Sequence, residues 1–344
     1  MLQAVMTSPG KIEFRDIPVP EIKDGEVLIK IMSIGICGSD LHVYHGRHPY
    51  TSFPVVQGHE VAGEISKVGK GVTQFKPGDK VTIQPQVFCG KCYSCTHGSY
   101  HICDELKVMG FQTTGVASEF FAVAAEKVIK IPEKLDFDEG AMVEPVAVAV
   151  HALGRGGDVK GKKILVLGAG PIGNLVAQTA KGLGAEAVMI SDLSDYRLAV
   201  AKDCGIDFTV NIKNQDLGKA LVENFGPYKA DLILECVGIN ATTSQAVTNA
   251  RKGTDIIIVG VFGETAGIEM GLVQDRELRL IGTLMYREED YIKAIELIEQ
   301  DKISLRPLIT NHFAFKDYLA AYEFIEEKKD KVMKVIIDVQ EGNE

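Results

Sequence analysis

The chain has 344 residues, 46% hydrophobic and 24% charged, with a formal net charge of −10. That balance and length suit a globular protein of two domains, each of about 150 residues with its own core, and exclude a disordered or repetitive chain. An acidic chain without a basic tract would repel a phosphate backbone, which sets nucleic-acid binding aside.

The opening MLQAVMTSPGKIEF has no basic segment followed by an apolar one, and no apolar run approaches the ~20 residues that span a bilayer. A cytoplasmic protein with no membrane partner is expected. Up to about residue 135, short β-rich runs such as EVLIKIMSIGI, DKVTIQP and SEFFAVAAEKVIKI alternate with Gly and Pro punctuation such as SFPVVQG and KPGDK. This predicts a compact, mostly β domain. Within it, Cys37 lies in GICGSDLHVY and His59-Glu60 in GHEVAGEISKVGKGV. Singly, a buried cysteine is usually core, and a histidine is usually a hydrogen-bonded structural residue.

Next comes CGKCYSCTHGSYHIC, which places Cys89, Cys92, Cys95 and Cys103 in one short loop. Four thiolates at this spacing match the closed tetrahedral shell of a structural zinc, which has no open position for a substrate. Disulfide pairing is the alternative, and it suits an intracellular chain of this size poorly. Cys204 and Cys236 fall outside every metal spacing; Cys236, ending DLILEC, reads as a buried small hydrophobe.

MVEPVAVAVHAL then reads as a helix leading toward GGDVKGKK. Beyond it, KKILVLG, NLVAQTAKGLG, AVMISD, DYRLAVAKDCG and DFTVN alternate strand and helix, as do ADLILECVG, ATTSQAVTNARKG, TDIIIVG and ELRLIGT. Six strands joined by helical crossovers predict an α/β doubly wound parallel sheet, a complete dinucleotide-binding domain. Gly168-Ala169-Gly170-Pro171-Ile172-Gly173 follows the first of these strands and opens a helix. Glycines there permit a tight turn and close approach of a pyrophosphate to the helix N-terminus. Asp192, ending the next strand, can accept hydrogen bonds from ribose hydroxyls and would repel a 2′-phosphate, so NAD is expected rather than NADP. Its other reading is a cap for the following helix. Arg197 on that helix either flanks the adenine or is a solvated surface arginine. After Tyr286, EEDYIKAIELIEQ and KDYLAAYEFIEEKK read as amphipathic helices and KVMKVIIDV as a strand returning to the first domain. The expected division is 1–148 with 286–344 for the first domain and 149–285 for the cofactor domain.

Together, Cys37, His59-Glu60, Glu144 of MVEP, the G-H-E-x₂-G-x₅-G-x₂-V pattern from Gly58 to Val72, the four-cysteine loop, the cofactor turn and the domain order resemble the zinc-dependent medium-chain alcohol dehydrogenases, in their sorbitol and polyol dehydrogenase branch. The resemblance covers nearly the whole chain and implies a GroES-like fold for the first domain. It further implies two zinc ions per chain, the second a catalytic ion on Cys37, His59 and Glu60. Glu144 occupies the slot where many relatives carry another cysteine, and it either touches the metal or holds its water. One thiolate, one imidazole and one carboxylate balance Zn²⁺ and leave a position open. By the same resemblance Asp40 accepts the second N–H of His59, Ser39 takes the substrate proton, and His42 passes it to solvent. Tyr44, Phe111 and Tyr286 either line the cleft or pack.

The implied reaction is reversible oxidation of a secondary alcohol of a polyol or sugar-derived substrate by NAD. L-threonine 3-dehydrogenase and 2,3-butanediol dehydrogenase are alternatives, although Ser39 stands where threonine dehydrogenases usually carry threonine. A non-catalytic zinc- and NAD-binding protein is the alternative of another class. Met285 stands where polyol enzymes often carry arginine, which weakens the case for sorbitol itself. His45, Arg47 and His48 of HGRHPY either favour a sugar acid or sugar phosphate or form an ordinary basic surface loop. A homo-oligomer, dimer or homotetramer, is the family's usual assembly.

Overall fold

The apolar run Glu26–Gly35 is buried along most of its length in the computed structural model, which describes residues 1–340. A strand covered on both faces reads as continuous rather than alternating hydrophobicity. The chain divides into two compact units, Met1–Glu144 with the segment from Ile309 onward, and Pro145–Leu308.

In the first unit, β1 (Leu2–Ser8) and β2 (Lys11–Asp16) form an antiparallel hairpin that the opening residues did not lead us to expect. The larger sheet contains β3 (Glu26–Gly35), β4 (Glu60–Val68) and β5 (Lys80–Ile83). A pair of two-residue strands, β6 (Gln86–Val87) and β7 (Lys107–Val108), brackets the cysteine loop. SEFFAVAAEKVIKI is two strands, β8 (Phe120–Ala124) and β9 (Val128–Lys130), parted by a 3₁₀ turn. Helices here are short: α1 (Gly38–Tyr44), α2 (Tyr93–Thr96) and α3 (Phe137–Ala141). The core holds fully buried Ile29, Ile31, Ile34, Ile65 and Ile83, each worth roughly 1.5–3 kcal/mol of transfer free energy.

The chain enters the second unit along α4 (Val143–Arg155). Its sheet is wholly parallel, from β10 (Lys163–Leu167), β11 (Ala187–Asp192), β12 (Phe208–Asn211), β13 (Leu232–Glu235), β14 (Asp255–Ile258) and β15 (Arg279–Gly282), in the order β12-β11-β10-β13-β14-β15. Crossovers run through α5 (Pro171–Gly182), α6 (Asp195–Asp203), α7 (Leu217–Phe225), α8 (Asn240–Asn249) and α9 (Met270–Asp275). The six expected strands are all present, and the order reverses between β10 and β13, where ligands bind in such sheets. The unit extends past residue 285 to Leu308 and starts at Pro145 rather than 149. Its helix α10 (Glu288–Glu299) buries Tyr291, Ala294, Leu297 and Ile298, and Asp290 Oδ2 meets His151 Nδ1 at 2.8 Å. Gln178 clamps Ser304, donating to its carbonyl and accepting from its N–H.

Back in the first unit, β16 (Ile309–Ala314) and β17 (Lys334–Asp338) flank α11 (Tyr318–Lys328). β17 pairs antiparallel with β3, Ile336 opposite Gly35, and the sheet order is β16-β17-β3-β4-β5-β9 with β8 also on β3.

Candidate active site and metal centres

Gly35 at the end of β3 pairs with Glu60 at the start of β4, so Cys37 and His59 arrive at the same end of the sheet. Cys37 is the N-cap of α1, and its N–H donates to Asp40 Oδ2 at 2.9 Å. Ligand atoms of Cys37, His59 and Glu60 lie within 4.8 Å of one another. His59 is 5% exposed and Glu60 1%, and Glu60 Oε1 has no hydrogen-bond partner. A buried carboxylate oxygen left unpaired beside a thiol and an imidazole fits a zinc ion, which takes N, S and O donors. Glu144, 5% exposed on the first turn of α4, lies outside that 4.8 Å set.

His59 Nδ1 faces Asp40 Oδ1 at 3.5 Å. Burial opposes charge on His59, but Asp40 and Cys37 outweigh it and hold the pKa well above the usual histidine value. An incoming ion would therefore displace a proton. Asp40 is itself clamped: Gln57 Nε2 donates to its carbonyl and to Oδ1, both at 3.3 Å, and Tyr322 Oη donates to Gln57 Oε1 at 2.8 Å. Tyr322 also stacks on Tyr44, ring centroids 4.9 Å apart. Gln57 and Tyr322 escaped the sequence reading, since neither belongs to a motif.

Lys334 escaped it as well. Its buried Nζ pairs with Glu60 Oε2 and donates to Ile36 O at 3.1 Å. Burial lowers its pKa, yet Glu60 and Cys37 more than reverse this, so the ammonium is held above its usual value. Glu60 thus divides its carboxylate, one oxygen to Lys334 and the other unpaired, where the sequence suggested a plain ligand. A lysine among the valines and isoleucines of KVMKVIIDV is the signal that would have found it.

Ser39 Oγ donates to Cys37 Sγ at 3.0 Å. His42 is exposed, and no hydrogen bond joins it to Ser39 among the described residues. Phe111 is buried, with ring centroids 5.0 Å from His59 and 4.7 Å from His48. Tyr286 is fully buried in the second unit, edge-on to Tyr291 at 5.0 Å, and this packing accounts for its ring.

In the cysteine loop the four sulfurs lie within 4.8 Å of one another, and all seven cysteines of the chain are free thiols. The N–H groups of Cys89 and Glu105 donate to Cys103 Sγ, and that of Cys92 to Cys89 Sγ, each at 3.3 Å. Backbone N–H groups of Asp104 and Cys95 lower the pKa of the Cys92 thiol, while burial and the neighbouring Cys92 raise that of Cys95, so without an ion one sulfur of the pair carries the charge. Amides aimed at sulfur stabilise thiolates, the form a closed S₄ zinc site requires.

In the second unit, Gly168 has φ +98°, and a Cβ on Gly173 would overlap Gly168 O, so neither position accepts a side chain. Gly170, the N-cap of α5, opens on free space, its nearest would-be neighbour being Arg197 Nη1 at 3.9 Å. Pro171 and Ile172 begin the helix, whose first-turn N–H groups lack intrahelical acceptors. This cradle, which a Cβ at residue 170 would fill, fits a pyrophosphate. Asp192 braces it: Oδ2 accepts from Ala169 N at 2.7 Å, and Oδ1 from Leu193 N and Ser194 N at 2.7 and 2.9 Å. Ser194 caps α6, so capping is not the role of Asp192. Arg197 is half-buried with Nε unpartnered, and its Nη1 is the atom nearest a Cβ built on Gly170, at 3.9 Å. Cys236 is half-buried, short of the full burial expected.

Comparison with known proteins gives matches to the alcohol dehydrogenase GroES-like domain over residues 23–133 and to the zinc-binding dehydrogenase domain over residues 171–300. Sorbitol dehydrogenase of Bacillus subtilis (strain 168) is 32% identical over 342 residues, 98% of this chain and 97% of that protein. The 2-dehydro-3-deoxy-L-galactonate 5-dehydrogenase of Pseudoalteromonas atlantica is 36% identical over 288 residues, 83% of this chain and 84% of its own. Galactitol-1-phosphate dehydrogenase from Escherichia coli superposes with a TM-score of 0.92 at 30% identity, covering 98% of this chain and 100% of that one.

Proposed function

The chain belongs to the zinc-binding alcohol dehydrogenase family, in its sorbitol dehydrogenase-like branch, and from that premise we propose that it moves hydride between NAD and a secondary alcohol of a polyol or sugar-derived substrate. The observation that carries this is the buried convergence of Cys37, His59 and Glu60 with one carboxylate oxygen unpaired. These residues would hold a catalytic zinc with Glu144 beside them, and Cys89, Cys92, Cys95 and Cys103 a structural one. When bound, the catalytic ion supplies Lewis acidity that makes an alcohol easier to deprotonate, and NAD supplies the hydride acceptor.

The chain's own groups then have distinct tasks. Asp40, held by Gln57 and Tyr322, fixes the tautomer of His59 through Nδ1. Ser39 Oγ, which donates to Cys37 Sγ here, would turn its O–H toward His42 with substrate bound, handing its own proton on as it takes the substrate's. His42, exposed one turn further along α1, would receive that proton and release it to solvent. Lys334 offsets the negative charge gathered by Cys37 and Glu60.

A panel of polyols, aldonates, L-threonine and 2,3-butanediol with NAD⁺ and NADP⁺, read as reduced-cofactor formation and paired with metal analysis, tests this reading. We expect two zinc ions per chain and turnover of polyols or aldonates. One zinc and no turnover across the panel would move the chain to the non-catalytic class, and turnover of threonine alone would move it to the amino-alcohol one.

For the cofactor, Asp192→Asn keeps an acceptor for the brace on Ala169 but removes the charge. Loss of a charged hydrogen bond costs about 1.5–3 kcal/mol, so the NAD-to-NADP ratio of kcat/KM should fall about tenfold or more. An unchanged ratio in a folded variant would take that choice away from residue 192.

No helix among the described residues is long and apolar enough to cross a membrane. We place the protein in the cytoplasm; for its assembly we propose a homodimer or homotetramer, supported by exposed Leu284, two residues past edge strand β15, and by exposed Val261 and Met270 of the same unit.

A further inference from the structure

We infer that a polar groove in the first unit, with Arg15 as its cation, receives the carboxylate end of an open-chain sugar acid; this deepens the function proposed above and rests on it. The groove encloses about 580 Å³ and is lined by Gln3, Arg15, Ser52, Gln112, Thr113 and Thr114, with Phe111 as a wall. That volume is in the range of small-molecule sites, and amide and hydroxyl groups along the lining match a row of substrate hydroxyls.

Its walls are fixed by backbone pairing. Gln3 and Arg15 are opposite partners in the β1–β2 hairpin, and β1 is bonded to the 50–56 segment through Met6 and Val55, with N···O distances of 2.8 and 2.9 Å. Phe111 borders both places: it lines the groove, and its ring centroid stands 5.0 Å from that of His59. In this proposal a substrate reacting beside His59 passes the Phe111 ring to bring its far end into the groove.

The Arg15 side chain is exposed and makes no hydrogen bond or ion pair among the described residues; Glu13 feels its charge, but both flanking acids are paired with other cations. Glu13 pairs with Lys11 at 2.6 Å, and Asp16 pairs with the amino group of Met1 at 3.1 Å. In a chain of net charge −10, an uncommitted guanidinium at a polar groove suits a planar bidentate carboxylate. One arginine with no second cation in the lining matches a single negative charge better than a phosphate dianion.

The basic run HGRHPY does not serve the same purpose. His45 Nε2 is paired with Glu326. His48 Nδ1 bonds Thr51 Oγ1 at 2.7 Å, its ring stacks on Phe111, and burial together with nearby His42 and His59 holds its pKa below the usual histidine value. Arg47 is exposed and is absent from the lining.

The test uses the zinc-loaded full chain, a series of hexonates, the matching neutral hexitols and hexitol phosphates. kcat/KM is measured with NAD⁺ at low and high salt for wild type, Arg15→Gln and Arg15→Lys. We expect wild type to prefer a hexonate over its hexitol about 10- to 100-fold, less so at high salt, with Arg15→Gln abolishing the preference and Arg15→Lys restoring part of it. An unchanged hexonate-to-hexitol ratio in Arg15→Gln, no hexonate preference in wild type, or preference for the hexitol phosphate would each overturn the inference while leaving polyol oxidation standing. Should nothing turn over, the proposed function fails on its own account. Calorimetric titration with the hexonates then decides the groove: binding by wild type that Arg15→Gln loses supports it, and no binding by wild type rejects it.

Discussion

Replacing His59 by alanine lowers kcat/KM more than about a thousandfold while the chain stays folded. Partners one bond removed from a metal already cost 10–100-fold when mutated, so loss of a donor atom itself exceeds that. The fold survives because the substitution removes one buried ring and leaves Asp40 supplied by Gln57 and by the N–H of Cys37. Cys95→Ser behaves oppositely. It opens a four-thiolate shell that only organises its loop, so zinc content and thermal stability fall before turnover does. Turnover, metal content and far-UV circular dichroism on both variants separate the roles. If both lose activity and stability in parallel, the assignment of one catalytic and one structural centre is wrong.

Lys334→Met destabilises the first unit by about 3–5 kcal/mol, the usual cost of leaving one member of a buried ion pair without its partner. Glu60 is 1% exposed and cannot turn to solvent for compensation. At roughly 2–4 °C per kcal/mol, the melting temperature should drop by about 10 °C. Adding Glu60→Gln recovers most of the loss, because the orphaned charge goes with it, but does not recover turnover. The pKa of Lys334 is raised, so the pair's contribution is complete below the ordinary lysine value of 10.5 and fades only as pH climbs through the higher folded value. Equal chemical denaturation midpoints for Lys334→Met and wild type at pH 7 would remove the ion pair from the account of stability.

Features whose chemistry depends on local spacing were legible in the chain. Gly168, Gly170 and Gly173 are diagnostic because a tight turn and a helix start must follow one another within six residues, and the four cysteines because they share one loop. The six parallel strands were equally readable, since helical crossovers impose their own alternation. What stayed hidden was long-range. Lys334 meets Glu60 across 274 positions, Tyr322 meets Gln57 across 265, and His45 meets Glu326 across 281, where no periodicity connects them. Helix α10 shows the same limit: its apolar stripe announces that it packs but not against which sheet, so the return to the first unit was placed at 286 instead of Ile309. The hairpin carrying Arg15 was missed because KIEFRD is half-exposed and polar, a strand whose pattern is weak without its partner.

The late position of β17 bears on biogenesis. During synthesis Cys37, His59 and Glu60 are made far ahead of Lys334, and the Glu60 carboxylate exists without the ammonium that pairs with it in the finished fold. That end of the sheet is complete only once β17 has been made and has paired with β3, so the site closes late in the order of synthesis.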